Sequence, residues 1–456
     1  MMLSKRKFIL YLTFSMLMLN ACSNKAKYLK PTGKSAFVPD NHVGFSTYVN
    51  ESKKNIEEIL NSVRKNDKGQ AYLGKYTNFD AAIMRSPFQV TLEDKNQCNS
   101  ADVGNNKGFL LIHGLNDSPY LMKSMSDLLH TKYPCSLIRT VLLPGHGTVV
   151  GDSLNMKKED WKKIVKYGVD SFKKENRITD LYLVGFSTGT SLSIDYMKHN
   201  PSISNEDRND KIKGLVFLST AIKAKSKFAF LSPLLSYVKD WLSIFKERDA
   251  ARYESFSFNS GVQFLNLTKD MLDKEYALKV PTLMAVSADD ITIDARAARE
   301  FYCYSSDIKR RALVWYQSID KDINSEISLE NSPELMCDNI IEVTPNSPDY
   351  KKYKTVNISH IAIPVSPTDE HYGFEKGRYR NCKSYESAGR TEQFDKCQSN
   401  KFSYVFGENE KLLKKSGKLD GNNFRRGTFN PDFENLKYRI LCFVDDACPI
   451  NNILKY

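Results

Sequence analysis

Apolar residues along the chain fall into two alternating patterns. Short unbroken runs have the length and composition of strands buried on both faces: Phe109-Leu110-Leu111-Ile112, Leu181-Tyr182-Leu183-Val184, and residues 214–218, 282–286 and 312–316. Residues 136–143 continue the series and run into Pro144-Gly145-His146-Gly147. Between these runs, apolar positions recur at helical spacing. Leu121, Met125, Leu128 and Leu129 follow a Ser118-Pro119 start, with serine as N-cap and proline in the first turn. Trp161, Ile164, Val165, Gly168, Val169 and Phe172 form a second stripe, and residues 190–199 and 295–302 two more. Helix is also expected over 51–65 and near 433–444, and a short strand over 353–358. Strands alternating with helices predict an α/β fold, a mostly parallel central sheet with helices on both faces.

Two stretches interrupt the alternation. Residues 219–279 are rich in Phe, Leu and Tyr, contain Trp241 and show no clear strands. They fit a cap of about 221–279 inserted above the C-terminal edge of the sheet, or else an extra helical packing layer. Residues 317–352 are rich in Ser, Asn and Asp and fit a surface insertion. The main domain is therefore set at 71–372, with 373–456 a C-terminal extension packing on it. Residues 22–70 supply an N-terminal segment whose first part, 23–50, has the Lys, Pro, Gly, Ser and Asn content of a tether.

The first residues have a different purpose. Lys5-Arg6-Lys7 precedes an apolar stretch, 8–19, too short to span a bilayer, which is the pattern of an export signal over 1–21. Leu19-Asn20-Ala21-Cys22 resembles a bacterial lipobox, which implies cleavage before Cys22, its acylation, and a membrane tether made of lipid alone. Ser23 resembles outer-membrane rather than inner-membrane sorting in a Gram-negative host. Plain secretion is the alternative.

Composition narrows the class further. Apolar content of 41% and charged content of 26% are those of a globular protein rather than a disordered one. The net charge of +12 is spread among acids, with small lysine clusters at 157–158, 162–163 and 173–174 on the solvated side of the stripe from Trp161 to Phe172. For an exported chain this argues against nucleic-acid binding. Besides Cys22 there are eight cysteines, an even set that suits disulfides outside the cell; Cys382 with Cys397 and Cys442 with Cys448 are the local pairings expected. No zinc-ligand spacing occurs.

The chemistry is centred on Gly185-Phe186-Ser187-Thr188-Gly189, directly after one strand run and before a helical stripe. A serine on so tight a turn projects out of the sheet, where its hydroxyl can attack a carbonyl, and the glycines leave room for the crowded backbone. At ordinary composition the pentapeptide arises by chance in about one chain in ten of this length, so its strand-to-helix setting carries the inference. Serine needs a base, and the base an acid to orient it.

Here the chain resembles α/β-hydrolases of the monoacylglycerol lipase, carboxylesterase and serine aminopeptidase-like type, over roughly residues 80–365. The resemblance rests on the serine turn, on His113-Gly114-Leu115, on Leu143-Pro144-Gly145-His146-Gly147, on Ser287-Ala288-Asp289-Asp290-Ile291-Thr292-Ile293 and on Ser359-His360. It implies Ser187 as nucleophile, Asp290 as acid with Asp289 as the alternative, and His360 as base with His371 as the alternative, taken as a surface-loop histidine. Ser287 stands where the family pattern has glycine. The backbone amides of Leu115 and Thr188 are the implied oxyanion donors, while His113 and His146 are implied to organise loops. Asp294 is expected to cap the next helix. The implied function is a membrane-anchored serine hydrolase of the cell envelope acting on a small-molecule or lipid ester, without metal or organic cofactor. A peptidase or amidase with the same triad, and a silent envelope binding protein, are the alternatives.

Overall fold

The computed structural model describes residues 26–35, 38–64, 72–91, 98, 104–200, 212–225, 232–305, 310–318, 335, 337–399, 403–415, 417, 419 and 423–445. Cys22, the export signal and Cys448 lie outside these residues.

In chain order the first ten strands are β1 (Gln89–Val90), β2 (Lys107–Ile112), β3 (Leu137–Val141), β4 (Asp180–Phe186), β5 (Ile212–Leu218), β6 (Trp241–Ser243), β7 (Phe256–Ser257), β8 (Thr282–Ser287), β9 (Arg311–Tyr316) and β10 (Ile340–Val343). Eight of them form one sheet in the order β1-β3-β2-β4-β5-β8-β9-β10. Only the edge strand β1 runs antiparallel to its neighbour. Alternate residues of one strand enter opposite layers. Phe109 and Leu111 join the cluster that holds α2 (Lys123–Lys132), whereas Leu110 and Ile112 join the cluster around α3 (Lys158–Lys173) and α4 (Thr188–His199). That placement explains why these strands read as unbroken apolar runs. The stripe on α3 is buried as expected, and Trp161 Nε1 donates to the Pro144 carbonyl at 2.9 Å.

Several expectations are corrected. Residues 26–35 do not stand off as a spacer: Leu29 is buried, and the Thr32 amide and hydroxyl both donate to Asp152. The following helix, α1 (Phe45–Val63), begins earlier than the expected 51 because Phe45 and Tyr48 anchor its first turn in the core. Inside the polar insertion, Ile340–Val343 pairs in parallel with β9 and extends the sheet. Residues 353–358 form no strand, making only an isolated bridge from Thr355 to Phe406.

The cap region contains a short antiparallel pair, β6 with β7, followed by α5 (Phe258–Thr268). It both covers and packs. Phe264 and Leu267 sink into the core, while Leu234, Tyr237, Val238, Leu242 and Ile244 are exposed. Helix α6 (Ala295–Ser305) starts where Asp294 Oδ1 accepts from Ala297 N at 3.2 Å, the expected cap. In the extension, β11 (Tyr404–Gly407) and β12 (Asn423–Arg426) pair in parallel, and α7 (Phe433–Asp445) packs its apolar face on the sheet. The Cys382–Cys397 disulfide is formed as expected, and Cys98–Cys135 and Cys303–Cys337 are further bridges.

Candidate active site

Strand β4 ends at Phe186 and α4 begins at Thr188, so Ser187 alone makes the turn, with φ 51° and ψ −119°. A side chain rarely adopts this conformation, which costs about 1–3 kcal/mol and must be held by its surroundings. The crowding on either side is visible at the glycines. A Cβ on Gly185 would sit 2.8 Å from the Gly189 carbonyl carbon, and one on Gly189 would run into the Ile112 carbonyl. Ser187 N donates to Leu218 O at 2.9 Å, which fixes the turn to the next strand.

Ser187, Asp290 and His360 come together. His360 Nε2 lies 2.9 Å from Ser187 Oγ, and His360 Nδ1 lies 2.6 Å from Asp290 Oδ2. Asp290 Oδ1 accepts from the Thr292 and Ile293 amides at 2.7 and 3.0 Å, which aims the other oxygen at the imidazole. With Nδ1–H donating to that carboxylate, Nε2 is left as the hydrogen-bond acceptor for the Ser187 hydroxyl. Ser187 sits at the carboxyl end of β4, beside the reversal of strand order between β2 and β4, Asp290 follows the carboxyl end of β8, and His360 reaches the same edge from its loop.

The alternatives have other partners. Asp289 accepts from Ser318 N and Oγ, each at 2.9 Å, and so ties the acid loop to the end of β9. His371 is not on the surface. It is fully buried, with Nε2 2.8 Å from Asp249 Oδ1 and Nδ1 3.0 Å from the Tyr76 hydroxyl. This second acid–imidazole pair clamps the cap to the last residues of the main domain, just before the extension. His113 Nε2 accepts from Leu143 N at 3.1 Å, and His146 Nε2 from Asn116 N at 2.9 Å. Both therefore join neighbouring loops.

The loop that carries His360 has no ladder to hold it, and side chains do so instead. Ser219 Oγ donates to His360 O at 2.6 Å, Ser287 Oγ to Ile358 O at 2.7 Å, and Ser359 Oγ to Gly427 O at 2.6 Å. Ser287, the departure from the glycine of the family pattern, thus has a definite use. Glu408, at the end of β11, accepts from His360 N and Ile291 N, both at 3.3 Å. Burial pushes the Glu408 carboxyl up, and Arg426 opposes this through contacts of 3.0 and 2.7 Å. Nothing in the sequence pointed to Glu408, because its partners lie far away along the chain.

Ser187 and His360 open onto a cavity of about 460 Å³, within the usual range for small-molecule sites. Leu115 and Thr188 line it beside the serine, at the loop after β2 and the first turn of α4. Cap residues Leu235, Leu242, Phe256, Phe264 and Leu265 give it an apolar wall.

Burial pulls His146 down to about 4, against its contacts with the Pro144 and Leu143 carbonyls, and burial together with nearby His146 pulls His113 well below the usual range. Unfolded histidines, near ~6.5, take up protons between about pH 6.5 and 4 while these stay neutral in the fold. The unfolded chain then binds more protons, so stability falls as pH falls through that window. Denaturant titrations from pH 7 to pH 4 should show a loss of about 3 kcal/mol from His146, with a shallower slope in His146→Gln. A slope identical in the two proteins would contradict a buried neutral imidazole at 146.

Residues 144–318 match the family described as Serine aminopeptidase, S33. No curated protein matches the chain. Among solved structures it is similar to the metagenome-derived lipolytic enzymes LipS and LipT, with 18% identity, a TM-score of 0.39, and coverage of 50% of this chain and 86% of that one. It is similar also to a monoacylglycerol lipase of Paleococcus ferrophilus, at 20% identity and TM-score 0.38, covering 51% of this chain and 88% of that one. A monoglyceride lipase of Saccharomyces cerevisiae stands at 17% and 0.38, with 51% and 82% covered. The order and direction of the strands, with the serine turn after β4, make this an α/β-hydrolase fold.

Proposed function

We propose that the chain is a membrane-tethered serine hydrolase that cleaves carboxylic esters. The observation that carries this reading is the unbroken hydrogen-bonded line from Ser187 Oγ through the His360 imidazole to Asp290. His360 Nε2 takes the serine proton as Oγ attacks the ester carbonyl, and Asp290 holds the imidazolium that forms. The backbone amides of Leu115 and Thr188, residues that line the same cavity, stabilise the oxygen that becomes negative. The imidazolium then protonates the departing alkoxide, leaving an acyl group on Ser187. Water, deprotonated by the same imidazole, releases the acid and restores the serine.

The apolar cap wall suits an acyl chain, and esters of this kind are named in the lipases to which the chain is similar. An aminopeptidase-like reaction is the second reading, favoured by the description of the matching family. Ester and aminoacyl-amide substrates of equal size separate the two. For the tether, Cys22 is the acylated residue, which would put the enzyme on a membrane of the cell envelope, in a Gram-negative host at the outer membrane or periplasm.

Ser187→Ala should lower kcat for p-nitrophenyl butyrate by at least about 10⁴-fold with the thermal midpoint unchanged. Turnover retained in a purified, folded variant would remove Ser187 from the reaction. In cells, the full chain should incorporate radiolabelled palmitate and fractionate with membranes. Cys22→Ser should lose both properties, and labelling that survives this change would overturn the proposed anchor.

A further inference from the structure

The cavity beside Ser187 has two characters. Besides the apolar cap residues, three cations line it from separate parts of the chain: Arg252 from the cap, and Lys383 and Arg426 from the C-terminal extension. Burial pulls the Lys383 ammonium below the usual lysine range, and the nearby Arg252 charge adds to that. Like charges gathered in a water-poor cavity repel one another unless acids or a ligand answer them.

The acids on the wall answer unequally. Glu254 is taken up by the protein itself. Its Oε1 accepts from the Tyr379 hydroxyl at 2.9 Å, its Oε2 from the Asp249 amide at 3.0 Å and from the Arg248 amide, and Lys383 Nζ stands 3.8 Å from Oε1. Arg426 is engaged by Glu408. Arg252 is answered in charge by Asp117, with Asp249 adding to it, but not all of its donors are satisfied by hydrogen bonds. Asp117 Oδ1 lies 3.4 Å from its Nη1 without making a hydrogen bond, and neither Nε nor Nη1 finds an acceptor among the described residues. A guanidinium withdrawn from water with donors unpaired is costly to keep, and a planar oxyanion is the ligand that its fork fits best. The side chain is 17% exposed, so part of it remains open to the cavity it lines.

We propose that Arg252, supported by Lys383 and Arg426, recognises an oxyanion, phosphate or carboxylate, on a substrate whose hydrocarbon part lies along the apolar cap wall. The ester reading supplies the reaction and this proposal rests on it there, whereas the recognition is a matter of binding alone. The substrate class is then an acyl ester that also carries an anionic headgroup. A neutral glyceride would offer Arg252 only uncharged acceptors, without the charge-assisted pair that an oxyanion makes.

Calorimetric titration of the full chain tests this with four eight-carbon probes: octyl phosphate, octanoate, octanol and octylammonium. At least one oxyanion should bind about tenfold or more tightly than octanol, with octylammonium the weakest, and the tighter of the two oxyanions identifies the headgroup. In Arg252→Gln that advantage should shrink to within about threefold, and Arg252→Lys should recover part of it. The tighter oxyanion should also inhibit p-nitrophenyl butyrate hydrolysis competitively, which places it beside Ser187. Equal affinities for octanol and both oxyanions, tightest binding of octylammonium, or an advantage untouched in a folded Arg252→Gln would each overturn the proposal. A chain that binds the oxyanion through Arg252 but hydrolyses no ester would sink the ester reading and leave the anion site standing.

Discussion

The 2.6 Å contact between Asp290 and the His360 imidazole sets the terms for the rest of the site. An imidazole serves as base to a serine only in one tautomer and one orientation, and a buried carboxylate on Nδ1 enforces both. Yet His360 sits on a loop outside the sheet. Its position is therefore fixed by side chains, three serines and one glutamate, drawn from just after β5, from β8, from the loop itself and from the end of β11. The strained Ser187 turn meets this loop from the other side and is fixed by the sheet. One partner is rigid because of its backbone, and the other because of a mesh of polar contacts.

That division gives the C-terminal extension a place in the site. Glu408 holds both the histidine and acid loops, Arg426 neutralises Glu408, and Arg426 and Lys383 reach the cavity. The cap is joined to the end of the main domain through the buried Asp249–His371 pair and the Tyr372 hydroxyl, which donates to Asp249, and to the extension through Tyr379, which donates to Glu254. Arg85, fully buried, holds the cap from below by donating to the Asp249 and Ala250 carbonyls. Cap, extension and central sheet are therefore joined by buried polar contacts close to the cavity.

Much of the frame was legible in the chain. Unbroken apolar runs marked the strands because both faces of the sheet are covered, and local motifs marked Ser187, Asp290 and His360 because each depends on a short turn. What stayed hidden depends on contacts between distant segments. Thr368-Asp369-Glu370-His371-Tyr372-Gly373 has the composition of a surface loop, but Asp249 and Tyr76 bury its histidine. Ile340–Val343 was masked by polar neighbours on both sides, and residues 26–35 by a composition suited to a linker although Thr32 is bonded to Asp152. Arg252 and Glu408 carry no motif at all. Their meaning comes only from what the fold sets beside them.

The most direct test of the relay is covalent. A fluorophosphonate should add once to the folded chain, and peptide mapping should place the adduct on Ser187, with labelling slowed at least about a hundredfold when His360 is replaced by Ala. An adduct on another residue, or labelling of Ser187 that proceeds equally fast without His360, would contradict the account.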